Sequence, residues 1–317
     1  MNEIKIYVAG HSGTVGSSVM DVFRDKGYSN IITKSSSELD LRNQEDVEDF
    51  VGRERPDAIV LTAGRVEGEL ARDQHPYQYL YDKLAIQNNM IHAAHKNDVD
   101  QLIFLGSSCF YPRFAPRPLR EPYLLTGSLE PANQWYAIAK MAGIKLCETF
   151  NRQYGRNYTA LIPADLYGAG EDVDSAGSKV IRAMIRKFHD ARERGQETVR
   201  LSGTATDRVG FLNVRDLADA ILFAVEAKLG GGVYNIGTGE DPSMKRLAHM
   251  IQEVTGHRGG IIWDRAKSED ELPAKRLDVS KIQAEGWRHK TDLGEGLAIA
   301  YHRFLEIKNE LNEVAVS

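Results

Sequence analysis

Residues 4–27 read IKIYVAGHSGTVGSSVMDVFRDKG. The first six residues alternate and are rich in β-forming side chains, which predicts a strand. Three glycines follow with the spacing G-x-x-G-x-x-G, and the remainder predicts a helix that is closed by the final glycine. Strand, glycine loop and helix in this order are typical of the first unit of an α/β fold.

The alternation of strand and helix continues to about residue 165. Short β-rich or apolar runs predict strands, and longer amphipathic runs predict helices. The further strands are predicted over residues 30–33, 57–62, 101–106 and 158–163, and the further helices over residues 44–53, 79–96 and 135–154. Repeated βαβ units predict an α/β fold with a doubly wound parallel Rossmann sheet that carries helices on both faces.

The regular alternation stops after Gly168. An acidic loop follows, and a basic helix is predicted over residues 179–194. Segments at residues 210–214, 218–228 and 233–236 then fit a return to the sheet. We therefore expect two lobes. The dinucleotide-binding Rossmann domain would comprise residues 1–165 plus about 210–240, and a smaller, discontinuous C-terminal substrate lobe would comprise about 166–209 plus 241–317.

The composition is that of an ordinary globular protein. The chain has 317 residues, of which 42% are hydrophobic and 27% charged, and its net charge is -5. This balance argues against disorder and against a broad nucleic-acid-binding surface. No apolar run approaches the roughly 20 residues of a membrane helix, and no secretory leader is visible, so we expect a cytoplasmic protein without a membrane partner.

Cysteine and histidine usage points to a reducing compartment and to no metal. Cys109 and Cys147 form neither a C-x-x-C pair nor a disulfide framework. His92 and His95 lie three residues apart on a predicted helix, but this spacing without a neighbouring cysteine is weak evidence for a metal. Packing or solvated roles are the simpler interpretation of both histidines, and we predict no metal site.

The glycine loop predicts a dinucleotide site. Gly10, Gly13 and Gly16 stand between a strand and a helix, where the lack of side chains lets backbone amides and the helix N-terminus approach a pyrophosphate. A bare tight turn is the alternative for an isolated glycine triplet. The following strand ends in Thr33-Lys34 and lacks the acidic residue that binds the ribose of NAD. Lys34 therefore favours NADP, with NAD still possible, unless it is a solvated lysine on a serine turn.

Tyr136 and Lys140 form Y-x-x-x-K on a predicted helix, so their side chains lie one turn apart on the same face. A tyrosine phenol can give a proton to an alkoxide that forms during ketone reduction, and an adjacent ammonium would lower the pKa of the phenol. Ser107 ends a predicted buried strand and could hold the carbonyl oxygen. The pattern Y-x-x-x-K alone is weak, but together with the glycine loop and Ser107 it predicts a reductase site.

Several longer stretches resemble the GDP-L-fucose synthase family, which belongs to the extended short-chain dehydrogenases and reductases. They are AGHSGTVGS from Ala9, FLGSSCFYP from Phe104, YAIAKMAGIKLCE from Tyr136, NRQYGR over 151–156 and LDV over 277–279. The similarity covers nearly the whole chain. It implies NADPH-dependent C4-keto reduction of a nucleotide-linked 4-keto-6-deoxy sugar, with GDP as the nucleotide, by Ser107, Tyr136 and Lys140.

The resemblance also implies an epimerisation base at Cys109, because a ketone at C4 acidifies the hydrogens at C3 and C5. A small buried hydrophobic residue is the alternative interpretation of Cys109. The family places a histidine, as the acid on the opposite ring face, at the position that aligns with Lys179. Lys179 could donate a proton after its pKa is depressed, bind a diphosphate, or begin a solvated helix. Retention and loss of epimerisation both stay open.

Further departures from the family surround the substrate. An aromatic residue has become Ser202, a basic residue is displaced to Arg208, an asparagine is Asp165, an arginine is Lys187, and two arginines near the NADP phosphate are Ser12 and Ser36. The lost aromatic ring predicts a wider site, which would suit a reductase without epimerase activity on a sugar such as a 6-deoxy-heptose.

The motifs and the resemblance together define the expected site. Cofactor residues are Gly10, Ser12, Gly13, Thr14, Val15, Gly16, Lys34, Asp40, Leu41, Ala63, Gly64, Arg65, Tyr136, Lys140, Pro163 and Leu166. Substrate residues are Ser108, Cys109, Asn133, Asp165, Lys179, Lys187, Ser202, Arg208 and Lys275.

Two other functions remain open from the sequence. A non-reductive nucleotide-sugar epimerase or 4,6-dehydratase would recycle its cofactor, but a dehydratase would place acidic groups beside the catalytic serine, where this chain has Ser108 and Cys109. A non-catalytic cofactor sensor would not need the serine, tyrosine and lysine. The family also implies a homodimer through the two long helices predicted over residues 79–96 and 135–154.

Overall fold

The structure is a computed structural model that describes residues 3–64, 74–168, 176–264 and 275–316, with the helix backbone alone for 176–179 and 311–316. A six-stranded sheet forms its centre, in the spatial order β2-β1-β3-β4-β5-β9, and every neighbouring pair is parallel. The sheet strands are β1 (Ile6–Ala9), β2 (Ile31–Ile32), β3 (Ala58–Leu61), β4 (Gln101–Leu105), β5 (Asn157–Pro163) and β9 (Gly232–Ile236). All residues of β1, β3 and β4 are buried, as expected of strands covered on both faces.

Helices connect the strands and cover the two faces of the sheet. On one face α1 packs against α6, and on the other α2 packs against α3, which packs against α4. Their bounds are α1 (Thr14–Asp25), α2 (Gln44–Glu54), α3 (Pro76–Lys96), α4 (Gln134–Tyr154) and α6 (Val214–Glu226). The predicted doubly wound α/β sheet is confirmed.

The strand order reverses between β1 and β3, so their carboxyl ends leave a crevice at the edge of the sheet. Crevices at such switch points are where open α/β sheets bind ligands. The glycine loop follows β1, and Ala63 and Gly64 follow β3, so the sequence places both segments at this crevice. Helix α1 begins at Thr14, inside the glycine motif and earlier than the predicted start, because the Gly13 amide turns back onto the Gly10 carbonyl at 3.1 Å.

A second apolar core lies outside the main sheet. It joins the buried faces of several later elements, including Phe188, Leu201, Leu247 and Leu297. These elements are α5 (Ala176–Glu193), β7 (Thr198–Ser202), α7 (Met244–Thr255), β10 (Gly260–Asp264) and α9 (Leu293–Val316). Strands β7 and β10 form a two-stranded parallel sheet. The second core supports the proposed substrate lobe.

Two details differ from the sequence expectations. Strand β8 (Phe211–Asn213) does not enter the main sheet but pairs with β6 (Asp165–Tyr167) in a separate two-stranded sheet. The segment around α8 (Ser280–Ala284) packs into the first core through Leu277, Ile282 and Trp287, so we propose to assign it to the dinucleotide lobe. Within the described ranges, no helix is both long and apolar enough to cross a membrane.

Candidate active site

The glycine loop is shaped by close backbone contacts. Gly10 has a φ of +89°, and a Cβ there would lie 2.6 Å from the Ala63 amide nitrogen. A Cβ on Gly16 would lie 2.0 Å from the Gly10 carbonyl oxygen, whereas one on Gly13 would meet only that oxygen, at 3.5 Å. The buried Nδ1 of His11 lacks a hydrogen-bond partner among the described residues. The tight turn and open middle position fit a dinucleotide pyrophosphate at the start of α1.

The segment after β2 contains an ion pair where a cofactor phosphate was expected. Lys34 Nζ lies 3.1 Å from Glu38 Oε1, while the amide and hydroxyl of Ser35 donate to Glu38 Oε2 at 2.8 and 2.7 Å. These hydrogen bonds, followed by the Lys34 charge, lower the pKa of Glu38 to about 2. Lys34 is therefore partly neutralised by a carboxylate that the sequence analysis did not consider.

The Asp40-Leu41 turn is held from two sides. Arg42 donates to both carboxylate oxygens of Asp40, at 3.0 and 2.7 Å, and pairs with Asp82 of α3 at 3.3 Å. Asn89 of α3 donates to the carbonyl oxygens of Leu41 and Arg42 at 3.0 and 2.9 Å. The proposed adenine neighbours thus stand on a turn anchored to α3.

Ser107 lies just beyond β4, at the start of a short 3-10 helix over Ser108–Phe110. Its Oγ is 3.1 Å from Cys109 Sγ and accepts a hydrogen bond from the Cys109 amide at 3.4 Å. The Gly106 amide, one residue earlier, donates to the Leu161 carbonyl oxygen of β5 at 2.7 Å. The side chains of Ser107 and Cys109 therefore lie next to each other at the carboxyl end of the central strands.

Tyr136 and Lys140 project from the first turns of α4 toward the same region. The Phe110 ring contacts the Tyr136 ring edge to face at a centroid distance of 5.7 Å. Lys140 is buried, and its Nζ donates to the Leu105 carbonyl oxygen at 2.8 Å and lies 4.6 Å from the Phe104 ring centroid. The structure thus brings the predicted tyrosine and lysine to the end of β4, beside Ser107.

Burial dominates the ionisation of this pair. Desolvation raises the pKa of Tyr136 well above its usual range, and the neighbouring Cys109 and Tyr79 raise it further. Desolvation and then the charge of Lys83 lower the pKa of Lys140 to about 7. The largest cause of the raised Tyr136 pKa is removal of the phenolate from water. The lowering of this pKa by Lys140 stays a prediction.

Cys109 has charged and polar neighbours from three parts of the chain. Burial raises its pKa to about 11, the hydrogen bond to Ser107 and the charge of Lys275 oppose this, and Asp165 and Glu130 reinforce it. Burial also raises the pKa of Asp165, against the charge of Lys275 and a side-chain hydrogen bond with Ser108. The predicted residues Ser108, Cys109, Asp165 and Lys275 therefore cluster.

The remaining predicted residues have other surroundings. Asn133 donates to Glu130 at 2.9 Å, Lys187 donates to the Arg200 carbonyl oxygen at 3.1 Å, and Arg208 pairs with Asp241 at 3.2 Å. Ser202 ends β7 with an exposed side chain, Pro163 ends β5, and Leu166 lies in β6. Arg65 and the side chain of Lys179 lie outside the described part of the chain. No group of three or more metal-binding side chains occurs among the described residues.

The sequence analysis missed three contacts of the site. Lys83 of α3 is buried, and its Nζ lies 5.1 Å from the Tyr136 ring centroid. Gln87 donates to the Ala139 carbonyl oxygen at 2.6 Å and so fixes α4 next to Lys140. Phe110 packs on Tyr136. The sequence did contain a signal for Lys83 and Gln87, because polar residues recur on the inner face of a helix that is otherwise apolar there.

Comparisons with known proteins agree with this geometry. A model of the NAD dependent epimerase/dehydratase family matches residues 6–237. GDP-L-fucose synthase 1 of Arabidopsis thaliana is 42% identical over 302 residues, which cover 95% of this chain and 93% of that protein. GDP-L-fucose synthase of Escherichia coli strain K12 is 40% identical over 317 residues, which cover 96% of this chain and 98% of that protein.

Solved structures give the same picture. A GDP-mannoheptose C4 reductase from Campylobacter jejuni with NADP bound superposes with a TM-score of 0.85 at 33% identity, covering 96% of this chain and 99% of that one. A GDP-D-glycero-L-gluco-heptose synthase from the same organism, in the presence of NADPH, gives 0.86 at 31% identity, covering 96% and 99%. The resemblance stated from the motifs is confirmed, and the chain belongs to the NAD dependent epimerase/dehydratase family.

Proposed function

We propose that this protein is an NADPH-dependent reductase that acts on the C4 ketone of a GDP-linked 4-keto-6-deoxy sugar. One observation carries the proposal: Ser107 directly follows β4, Lys140 donates to Leu105 in β4, and Tyr136 packs on Phe110 of the 3-10 helix, on the same edge of the sheet as the glycine loop. Relatives named for GDP-sugar synthesis, at 40% and 42% identity over nearly the full chain, support the nucleotide. Neighbours solved with NADP or NADPH support the cofactor.

Each side chain has one task in the reduction. NADPH, when bound, supplies the hydride that adds to C4. The Ser107 hydroxyl donates a hydrogen bond to the C4 oxygen as negative charge develops there. The Tyr136 phenol gives its proton to that oxygen, which yields the alcohol and leaves a phenolate. Lys140, whose pKa lies at about 7, can return a proton to the phenolate near neutral pH.

Epimerisation is a second activity that a specific contact favours. Cys109 Sγ lies 3.1 Å from Ser107 Oγ, so a base there would lie near C3 and C5, the carbons next to the C4 ketone that Ser107 binds. The thiol must first lose its proton, which burial opposes by raising its pKa to about 11. The Lys275 charge acts in the favourable direction. Reduction without epimerisation, on a heptose, is the alternative that the heptose enzymes among the solved neighbours support.

In the decisive experiment, the protein is incubated with NADPH or NADH and with a panel of GDP-, CDP- and dTDP-linked 4-keto sugars that includes hexoses and heptoses. We expect stoichiometric loss of reduced-nicotinamide absorbance with NADPH and a GDP sugar. Tyr136→Phe should lower kcat by about 10²- to 10⁴-fold, since it removes the proton donor but keeps the ring. Epimerisation is measured by running the reaction in deuterated water and determining the stereochemistry of the product, since it leaves deuterium at C3 or C5. Cys109→Ser is the variant that tests the proposed base.

Other outcomes would select other functions. Turnover without net loss of NADPH would indicate a non-reductive epimerase or dehydratase. Tight cofactor binding without turnover on any keto sugar, unchanged in Tyr136→Phe, would indicate a sensor. Reduction with protons retained at C3 and C5 would remove the role of Cys109 and leave that of Tyr136 in place.

We propose that the active form is a homodimer through α3 and α4. Large exposed apolar side chains support this, since Tyr77 and Tyr81 stand on α3 and Trp135, Ile138 and Tyr154 on α4. A groove of about 580 Å³ runs between the same helices and includes Asn89, His92, Ala142 and Leu146. Large apolar side chains exposed on two neighbouring helices are typical of interfaces between subunits.

A further inference from the structure

Lys83 is a buried lysine of the active site that belongs to none of the recognised motifs. It lies on α3, is 5% exposed, and its Nζ is 4.5 Å from the Tyr79 ring centroid and 5.1 Å from that of Tyr136. A Cβ placed on Gly64, directly after β3, would lie 3.9 Å from the same nitrogen. The ammonium therefore occupies the space between the catalytic tyrosine and the crevice of the cofactor.

The position of this ammonium makes it sensitive to the ionisation of Tyr136. A cation over an aromatic face is attracted by the π electrons of the ring. When the phenol loses its proton, part of the negative charge spreads into the ring, and the attraction becomes that of opposite charges. A buried site screens this attraction less than water does. A positive charge at this place would therefore stabilise the phenolate of Tyr136 more than the neutral phenol.

Lys140 is less suited to that task than its motif suggests. Its Nζ donates to the Leu105 carbonyl oxygen at 2.8 Å, and burial together with the charge of Lys83 lowers its pKa to about 7. Near neutral pH a large fraction of Lys140 is thus uncharged. It can exchange protons well but supplies a fixed positive charge poorly.

We propose that Lys83 is a positioning residue that supplies positive charge beside Tyr136, so that Lys140 acts mainly in proton return. The inference rests on the proposed role of Tyr136 as proton donor. During reduction the O–H bond of Tyr136 breaks, its proton joins the C4 oxygen, and the phenolate that remains is stabilised across its ring by Lys83. Within the described part of the chain, the ionisable groups recorded around Tyr136 are Tyr79 and Lys83 from α3 and Cys109 from the 3-10 helix, and Lys140 lies one turn further along α4.

The test compares Lys83→Met, which removes the charge, with Lys83→Arg, which retains it. Tyrosines carrying ¹³C at Cζ are titrated by NMR with NADP⁺ bound, and the Tyr136 signal is identified by its loss in Tyr136→Phe. We expect the Tyr136 signal of Lys83→Met to begin its alkaline shift at higher pH than that of the wild type, and Lys83→Arg to restore the wild-type onset. In steady-state reduction, kcat should fall about tenfold, since one pKa unit is a tenfold change in acidity, with a much smaller change in KM.

Lys96→Met, at the far end of α3, is the matched control for loss of a lysine, and thermal melting verifies that each variant is folded. Lys83→Gln replaces Lys83→Met if the latter does not fold. An unchanged Tyr136 titration and an unchanged alkaline limb of kcat in the folded charge-free variant would overturn the inference. Failure of Lys83→Arg to restore the titration would also overturn it. The NMR titration does not depend on turnover, so failure of the proposed reductase function is recognised separately, by a wild-type protein that reduces no keto sugar.

Discussion

At the residue scale, burial and local hydrogen bonds set the ionisation of each side chain. Tyr136, Cys109 and Lys140 are driven toward their neutral forms because they are removed from water. Glu38 is driven toward its charged form, because it accepts hydrogen bonds from Ser35 and lies next to Lys34. The surroundings of Tyr136, Cys109 and Lys140 therefore favour neutral side chains, whereas those of Glu38 favour a charged one.

The Lys34–Glu38 pair predicts a cofactor-specific variant. In Glu38→Gln, Lys34 loses its carboxylate partner and becomes available to the 2′-phosphate of NADPH. We expect the Kd for NADPH to decrease by about threefold to tenfold and the Kd for NADH to change little, since NADH lacks that phosphate. Fluorescence titration of both cofactors measures the effect. Glu45→Gln, an exposed carboxylate on α2, is the control, and equal effects on NADPH and NADH would contradict a phosphate contact by Lys34.

At the element scale, side chains bonded to backbone groups hold neighbouring elements in place. Gln87 of α3 donates to the Ala139 carbonyl oxygen of α4, and Lys140 of α4 donates to the Leu105 carbonyl oxygen of β4. Asn151 near the end of α4 donates to the Tyr158 carbonyl oxygen at 2.7 Å and accepts from its amide at 2.8 Å. Each of these hydrogen bonds helps to fix the orientation of α4 and therefore the positions of Tyr136 and Lys140.

The two Asn151 bonds predict a stability loss that is separate from catalysis. Asn151→Ala leaves both backbone groups of Tyr158 without their partner, and we expect unfolding free energy to fall by about 1–3 kcal/mol. Urea denaturation followed by circular dichroism measures this loss. Gln153→Ala changes an exposed residue on the same helix and should cost much less. Equal midpoints for the two variants would show that water replaces the Asn151 bonds at no cost.

At the scale of the whole molecule, two apolar cores divide the chain, and α9 closes the second. His189 of α5 connects α9 to this core. Its Nε2 lies 2.7 Å from Lys308 Nζ and its Nδ1 lies 3.0 Å from the Tyr301 hydroxyl. Because an ammonium can only donate, we assign the ring proton to Nδ1, which donates to Tyr301. Burial, and then the charge of Lys308, lower the pKa of His189.

The lowered pKa of His189 predicts an acid-sensitive stability. The folded protein keeps this ring neutral, whereas the unfolded chain binds a proton once the pH falls below the ordinary value of 6.5. The neutral ring of His189 therefore contributes fully to the free energy of unfolding above pH 6.5. This contribution is lost as the pH falls toward the pKa of His189 in the folded protein, by up to about 1.4 kcal/mol per pH unit. We expect His189→Gln to lose less stability than the wild type between about pH 7 and pH 5.5. Melting curves across this range decide it, with His302→Gln on the exposed side of α9 as control.

The dimer proposal is tested at the same scale. Ile138→Asp places a charge on the α4 face, where this side chain is 44% exposed in the single chain. If two subunits bury this face, the charge loses its hydration and the variant should become monomeric. Ile299→Asp, at a site on α9 with 52% exposure, should keep the oligomeric state of the wild type. Light scattering after size-exclusion chromatography measures both, and a wild-type monomer would exclude the proposal.

The sequence by itself predicted the parallel sheet, the glycine loop and the spacing of Tyr136 and Lys140. Hydrophobic periodicity and motif spacing are local properties, so the order of β1 to β5 and the helical spacing of Tyr136 and Lys140 were readable along the chain. The tertiary structure alone decided which strand β8 joins and that Lys83 of α3 lies beside Tyr136 of α4. It also set the direction of the Tyr136 pKa, because desolvation depends on the atoms packed around the phenol, and the contributing Cys109 and Tyr79 are distant from Tyr136 in sequence.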